Sequence, residues 1–265
     1  MFVEQTTITP EKAAELLANN PTNRPIRGNH VAKIARDMKS GDWQVNGDAI
    51  RLNGSGELID GQHRLSACIR SGVPFETLVI TGLPVSVRST IDDGATRKHG
   101  DRLAMNGHKY GSILSAASKM LIFIANGTGL VQVSTSEMDR ALEKNPGLEA
   151  SIAKVGASKA FGSKGTIAAF HYITSEIYGE NLADEWLDVW CSGIPAYDGD
   201  PVHLLRERLM RLRMSHHTIN RVELFKLWTR CIEAFVIRQP LSKLIGKRIG
   251  FDEWTPERCG VVLPK

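Results

Sequence analysis

The chain has 265 residues, 42% of them hydrophobic and 23% charged, enough for one large or two modest domains with a real core. Its four cysteines, Cys68, Cys191, Cys231 and Cys259, stand far apart with no Cys-x-x-Cys pair, which argues against a disulfide framework or a zinc site. Met1–Gln5 is neither basic nor followed by an apolar run, and the most apolar stretch, Ile113–Ala125, is broken by Lys119 and too short for a bilayer, so a cytoplasmic protein without membrane contact is expected.

In chain order, Thr9 is placed to cap a helix that starts at Pro10, with Glu11 in its first turn and Asn19-Asn20-Pro21 ending it. The loop Asn23-Arg24-Pro25-Ile26-Arg27-Gly28 follows. Asn29 is the expected cap of a second helix, on which Val31, Ile34, Ala35 and Met38 form an i, i+3, i+4, i+7 stripe up to Gly41. Asp48–Leu52 and Glu57–Ile59 flank Asn53-Gly54-Ser55-Gly56, the composition of a β-hairpin turn.

The second hairpin strand runs into Asp60-Gly61-Gln62-His63-Arg64. Leu65, Cys68 and Ile69 then repeat at helical spacing as far as Gly72, with Pro74 just beyond. His63 and Arg64 therefore fall in the first turn of a helix, where the macrodipole and the unpaired N–H groups disfavour cations. An anion docked on that turn reverses the sign, and phosphate is the obvious candidate. The plainer alternative is that Asp60 caps the helix while His63 and Arg64 reach solvent or pair with acids.

Thr77–Ile80 reads as a further strand and Pro84–Ile91 as a short helix. The loop Asp92-Asp93-Gly94-Ala95-Thr96-Arg97-Lys98-His99 is a second place for chemistry, with Asp93 and Arg97 as its candidates; the alternative is a polar loop capping a helix at Asp101. From Gly111 the pattern is helical throughout, in about six helices. Ser134-x-x-Glu137 is a capping box, and Asp200-Pro201 is a cap followed by proline. Trp186, Trp190, Trp228, Phe225 and Phe235 read as core, and His216-His217 as a surface or capping pair rather than metal ligands. The net charge is +4, yet Pro201–Arg248 holds eleven Lys or Arg against three Glu, a balance of +8 that leaves −4 for the rest. Arg206, Arg208, Arg211 and Arg213 flank the stripe of Leu205, Leu209 and Leu212, and are the candidate DNA contacts.

Asp60–Arg64 with Leu65-Ser66-Ala67 resembles the DGQHR-type signature of the ParB/sulfiredoxin superfamily. Asn23–Arg27, the helix from His30 to Ser40 and Gly41-Asp42-Trp43 resemble the segment preceding that signature in ParB N-terminal domains, and Val73-Pro74-Phe75 resembles the entry to the strand after it. Asp92–Arg97 is similar to an Asp-x-Gly-x-x-Arg stretch of DGQHR-type relatives from phages and actinobacteria. The chain has Gln62 where sulfiredoxins carry the reactive cysteine, and Gln-His-Arg where partition proteins have Glu-Arg-Arg.

The resemblance implies an α+β protein: a small mixed α/β nucleotide-binding domain over residues 1–105, then an all-α helical domain over 106–265. The phosphates would be held by Gly61, Gln62, His63 and Arg64, with Arg24 and Arg27 closing from the opposite loop. Asp60 would polarise an attacking hydroxyl or water or hold Mg²⁺, and His63 would be a second catalytic group. The leading expectation is nucleotide binding, of ATP or CTP, with NTP hydrolysis or phosphotransfer on or near DNA. The alternatives are a non-catalytic DNA-binding regulator and a metal-dependent nuclease. Expected partners are a nucleotide and DNA, with a homodimer admitted.

Overall fold

The structure is a computed structural model that describes residues 1–21, 23–91, 97–126 and 132–245. The chain divides into two compact units, one built on Met1–Thr96 with Val131–Glu137, the other on Arg97–Leu130 and Met138–Val261. The architecture is α+β, with the strands in the first unit and helices in the second.

The first unit runs β1 (Phe2–Ile8), α1 (Pro10–Ala18), α2 (Gly28–Lys39), β2 (Ala49–Asn53), β3 (Leu58–Asp60), α3 (Gln62–Ser71), β4 (Phe75–Leu83) and a 3-10 turn at Val85–Ser89. Its four-stranded sheet has the order β1-β4-β2-β3. β2 and β4 are parallel, which demands a crossover, and α3 is part of it. The other pairs are antiparallel. Ile50, Leu58, Leu65, Cys68 and Phe75 meet the α2 stripe of Val31, Ile34, Ala35 and Met38 in one core.

Local chemistry sets most of these boundaries. Thr9 accepts the Lys12 N–H at 3.2 Å and Pro10 opens α1. The Asn53 side chain accepts from Ser55 N and Glu57 N and so folds the hairpin turn. The helix expected from Pro84 is a shorter 3-10 turn, and the expected strand at Thr77–Ile80 runs from Phe75 to Leu83. Asn29 does not cap α2: the helix starts at Gly28 with Arg27 at the N-cap, because a tertiary contact from α3 fixes the Arg27 N–H. β1 was not expected. Only Ile8 of its seven residues is buried, so alternation gives no signal, and the strand exists through its ladder with β4 from Phe2↔Thr81 to Ile8↔Phe75.

The second unit holds α4 (His99–Met105), α5 (Gly111–Ala125), most of α6 (Thr135–Lys144), α7 (Leu148–Ala157), α8 (Lys164–Tyr178), α9 (Glu180–Ser192), α10 (Pro201–Met214) and α11 (Arg221–Val236). From Gly111 the described residues thus hold seven helices, one more than the sequence count. The division comes before α4 rather than after residue 105, because α4 packs on α5. At Gly100 an added Cβ would meet Ser112 Cα at 3.0 Å, and at Gly111 it would meet Ala104 N at 2.9 Å. Trp186, Trp190, Trp228, Phe225 and Phe235 are fully buried, with Trp228 stacked on Phe170 at 4.7 Å. The Ser134–Glu137 box is formed reciprocally at 2.6 and 3.1 Å, and Asp200 accepts from Val202 N at 2.8 Å. Among the described residues no helix is long and apolar enough to cross a membrane.

Candidate functional site

The Asp60–Arg64 stretch is where β3 hands the chain to α3. Gly61 sits at the N-cap with φ of +110°, and an added Cβ there would run into the Ile50 side chain. Only glycine meets both conditions at low cost. The first-turn amides of α3 lack intrahelical acceptors, as in any helix.

Each polar side chain of the motif has a defined place. Asp60 precedes the cap. Its Oδ1 accepts the Gly61 N–H at 2.7 Å, and its Oδ2 accepts from Arg51 Nη1 at 2.6 Å and Arg64 Nη2 at 3.2 Å. Arg64 also donates to the Ala49 carbonyl oxygen at 2.8 Å. Gln62 donates to the Arg24 carbonyl oxygen at 2.8 Å and accepts from Asn20 Nδ2 at 3.2 Å, so it fastens the loop before α2 to the start of α3. Asn23 secures the same loop by donating to Leu58 O at 2.8 Å.

His63 is buried, and its Nε2 accepts the Arg27 backbone N–H at 3.1 Å. That nitrogen is therefore unprotonated, and the ring's N–H is on Nδ1. Burial, then the charges of Arg24 and Arg27, hold its pKa below the ordinary histidine value against the opposing pull of Asp60. His30 stands edge-on to His63, with ring centroids 5.1 Å apart. Burial, Lys33, His63, Arg24 and Arg27 lower its pKa as well.

Two clefts flank this junction. One, of about 290 Å³, is lined by Arg24, His30, Trp43, Asp48, Arg51 and the motif residues Asp60–Arg64. The other, of about 230 Å³, lies among Asn23, Arg24, Ile59, Asp60, Gln62, His63, Arg88 and Ile91. Arg24 lines both. The side chains of Arg24 and Arg27 are exposed and form no ion pair among the described residues. The site thus presents exposed positive charge, two imidazoles and a helix N-terminus in a cleft that Asp48 and Asp60 also line.

The other candidates lie apart from this cleft in the sequence of elements. Asp93 falls outside the described residues; Arg97 is exposed and begins the second unit. Asp101 accepts the Lys98 N–H at 2.8 Å, as the capping alternative anticipates. The α10 arginines are partly committed within their own unit. Arg208 donates to Leu244 O at 2.9 Å and pairs with Glu223 at 3.4 Å, Arg213 lies 5.5 Å over the Phe161 ring, and Arg206 packs against Gly193; Arg211 is exposed. Among the described residues no group of three or more His, Cys, Asp or Glu is arranged to hold a metal ion.

Sequence reasoning missed Arg51 and His30. Arg51 sits opposite Asp60 in the β2–β3 ladder, a register partner that follows from the hairpin alone. His30 gave no signal, since only tertiary packing of α2 on α3 brings it to His63. Comparisons with protein-family models, curated proteins and solved structures found no match.

Proposed function

We propose that the first unit is a ParB/sulfiredoxin-like nucleotide-binding domain whose cleft takes the phosphates of ATP or CTP and supports phosphoryl chemistry, by hydrolysis or by transfer to an acceptor. The observation that carries the reading is the pair Arg24 and Arg27. They hold no ion pair among the described residues and stand close enough to the buried His63 and the half-buried His30 to depress both pKa values. Positive charge gathered without a protein counter-ion, beside first-turn amides, is suited to an anion.

The phosphate would meet Arg24 and the Gln62 and His63 amides. Gln62 fixes the Arg24 backbone, so the arginine approaches from a held loop. Arg64 would exchange Asp60 for a phosphate oxygen, since a guanidinium offers the same fork to either. That exchange would leave Asp60 Oδ2 with Arg51 as its remaining arginine partner. Mg²⁺ is bound by one or two carboxylates together with substrate phosphates rather than by an all-protein cage. Asp48 and Asp60, which line the cleft, fit that description, and Mg²⁺ would supply charge neutralisation of the transferred phosphoryl group.

The test is calorimetric titration of ATP, CTP and GTP with and without Mg²⁺ and DNA, scored alongside phosphate release. Arg64→Ala is expected to weaken nucleotide binding by about 2–4 kcal/mol, and Arg24→Ala to weaken it in the same direction. Binding undiminished in both variants would move the site elsewhere.

A further inference from the structure

The second unit contains a cavity of about 260 Å³ that the nucleotide reading leaves unused. It lies just under the usual span of ligand pockets, roughly 300–1,000 Å³, so it suits a fragment-sized ligand. Trp190 of α9, Leu209 and Leu212 of α10 and Trp228 of α11 give it apolar and aromatic walls. Trp228 is 2% exposed, and its indole N–H is buried with no hydrogen-bond partner.

The rest of the lining has the opposite character. Ser163 and Thr166, at the N-terminus of the fifteen-residue α8, belong to it, as do Arg213 and His217. Arg213 is exposed and forms no ion pair among the described residues; its guanidinium is steadied over the Phe161 ring. His217 keeps its Nδ1 on the Ser215 carbonyl oxygen at 3.0 Å, which holds the ring in place. A helix N-terminus and a guanidinium both favour negative charge, and they share this cavity with an aromatic wall.

We propose that this cavity binds a small aromatic carboxylate, with the ring against Trp190 and Trp228 and the carboxylate held by Arg213 and the first turn of α8. Arg213 then serves ligand recognition in place of the DNA contact that its position in a basic stretch suggests. The wall is its own reporter, because the Trp190 and Trp228 ring centroids lie 4.6 Å apart in the same tryptophan cluster.

The experiment titrates the full chain with phenylbutyrate and with its uncharged twin phenylbutanol, followed by tryptophan fluorescence and calorimetry. Phenylbutyrate is expected to bind saturably and about tenfold tighter than the alcohol, the difference made by one charge-assisted contact. Arg213→Ala should bring the acid down to the level of the alcohol. Leu212→Trp, which fills the cavity, should abolish binding of both compounds. Should the melting curve show that Leu212→Trp is unfolded, Thr166→Phe blocks the same cavity from a half-exposed position on α8. No saturable binding of either compound, equal affinities for acid and alcohol, or binding that survives a folded cavity-filling variant would each overturn the proposal.

Discussion

Gly61 makes the β3–α3 junction possible, and both of its reasons can be tested by adding one methyl group. At φ of +110° a side chain is disfavoured by about 1–2 kcal/mol, and collision with Ile50 adds an overpacking cost of about 1–3 kcal/mol. Gly61→Ala should therefore lose about 2–5 kcal/mol in urea denaturation. A loss under about 0.5 kcal/mol would mean that the turn relaxes freely. Asp60 poses a different question, since it anchors Arg51 and Arg64 and is also the candidate for chemistry. Asp60→Asn removes one negative charge from a cleft proposed to take an anion. Nucleotide affinity is then expected to hold or rise while turnover falls with a nearly unchanged melting curve. A lower melting temperature with full turnover per folded molecule would reduce Asp60 to an anchor. The sequence showed the need for glycine and the cationic first turn. It did not show that the carboxylate is spanned by two arginines, because Arg51 reaches Asp60 only through strand register.

At the scale of elements, α7, α8 and α9 are fastened by a polar cluster that hydrophobic periodicity does not reveal. His171 of α8 is fully buried, with Nδ1 2.9 Å from Ser151 Oγ of α7 and Nε2 3.0 Å from Asp184 Oδ1 of α9. Lys154 of α7 closes the group on both Asp184 oxygens at 2.6 Å and on Glu180 at 2.8 Å. Burial lowers the His171 pKa, and Lys154 adds to the effect, against the pull of Asp184 and Glu180. A histidine held below its unfolded value of 6.5 favours the folded state while it is neutral. On acidification the unfolded chain takes up the proton first, so that stability is present above pH 6.5 and drains as the pH falls toward the folded pKa. Melting temperature across that window should drop more steeply in the native chain than in His171→Gln, which retains polar contacts but cannot titrate. Parallel profiles would remove His171 from the acid response. Helix existence here was legible from caps such as Ser134–Glu137 and Asp200–Pro201, whose partners lie within a few residues. The polar cluster was not, because its bonded partners are 13 to 30 residues apart and meet only when three helices pack. The edge strand β1 escaped for a related reason: its pairing partners lie on β4, and its own side chains are largely exposed.

Across the whole molecule the charge is uneven, +8 over Pro201–Arg248 in a chain of +4, and the described cations of that stretch differ in their surroundings. Arg208 and Arg238 are paired with Glu223 and Glu185, and surface pairs of this kind contribute little to stability while still occupying their arginines. Arg213 lines the apolar cavity. Arg211 is different: it is exposed and, among the described residues, donates to the Glu207 carbonyl oxygen one turn back. If the helical unit contacts DNA, exposed cations such as Arg211 carry the contact, and the number of phosphates engaged is smaller than the raw charge count implies. Each phosphate neutralised on duplex DNA contributes about −0.9 to the slope of log affinity against log salt. Fluorescence anisotropy over a salt series should therefore give a slope well short of the value for eleven cations, and Arg211→Glu should flatten it by about one unit. Nucleotide binding at Arg24 and Arg64 should be unaffected by that change, because Arg211 belongs to the other unit. Absence of duplex binding at low salt would identify the basic stretch as a solvated face. Binding that survives Arg211→Glu but vanishes in Arg64→Ala would place nucleic-acid phosphate in the first unit's cleft, and the nuclease alternative would then replace the nucleotide reading.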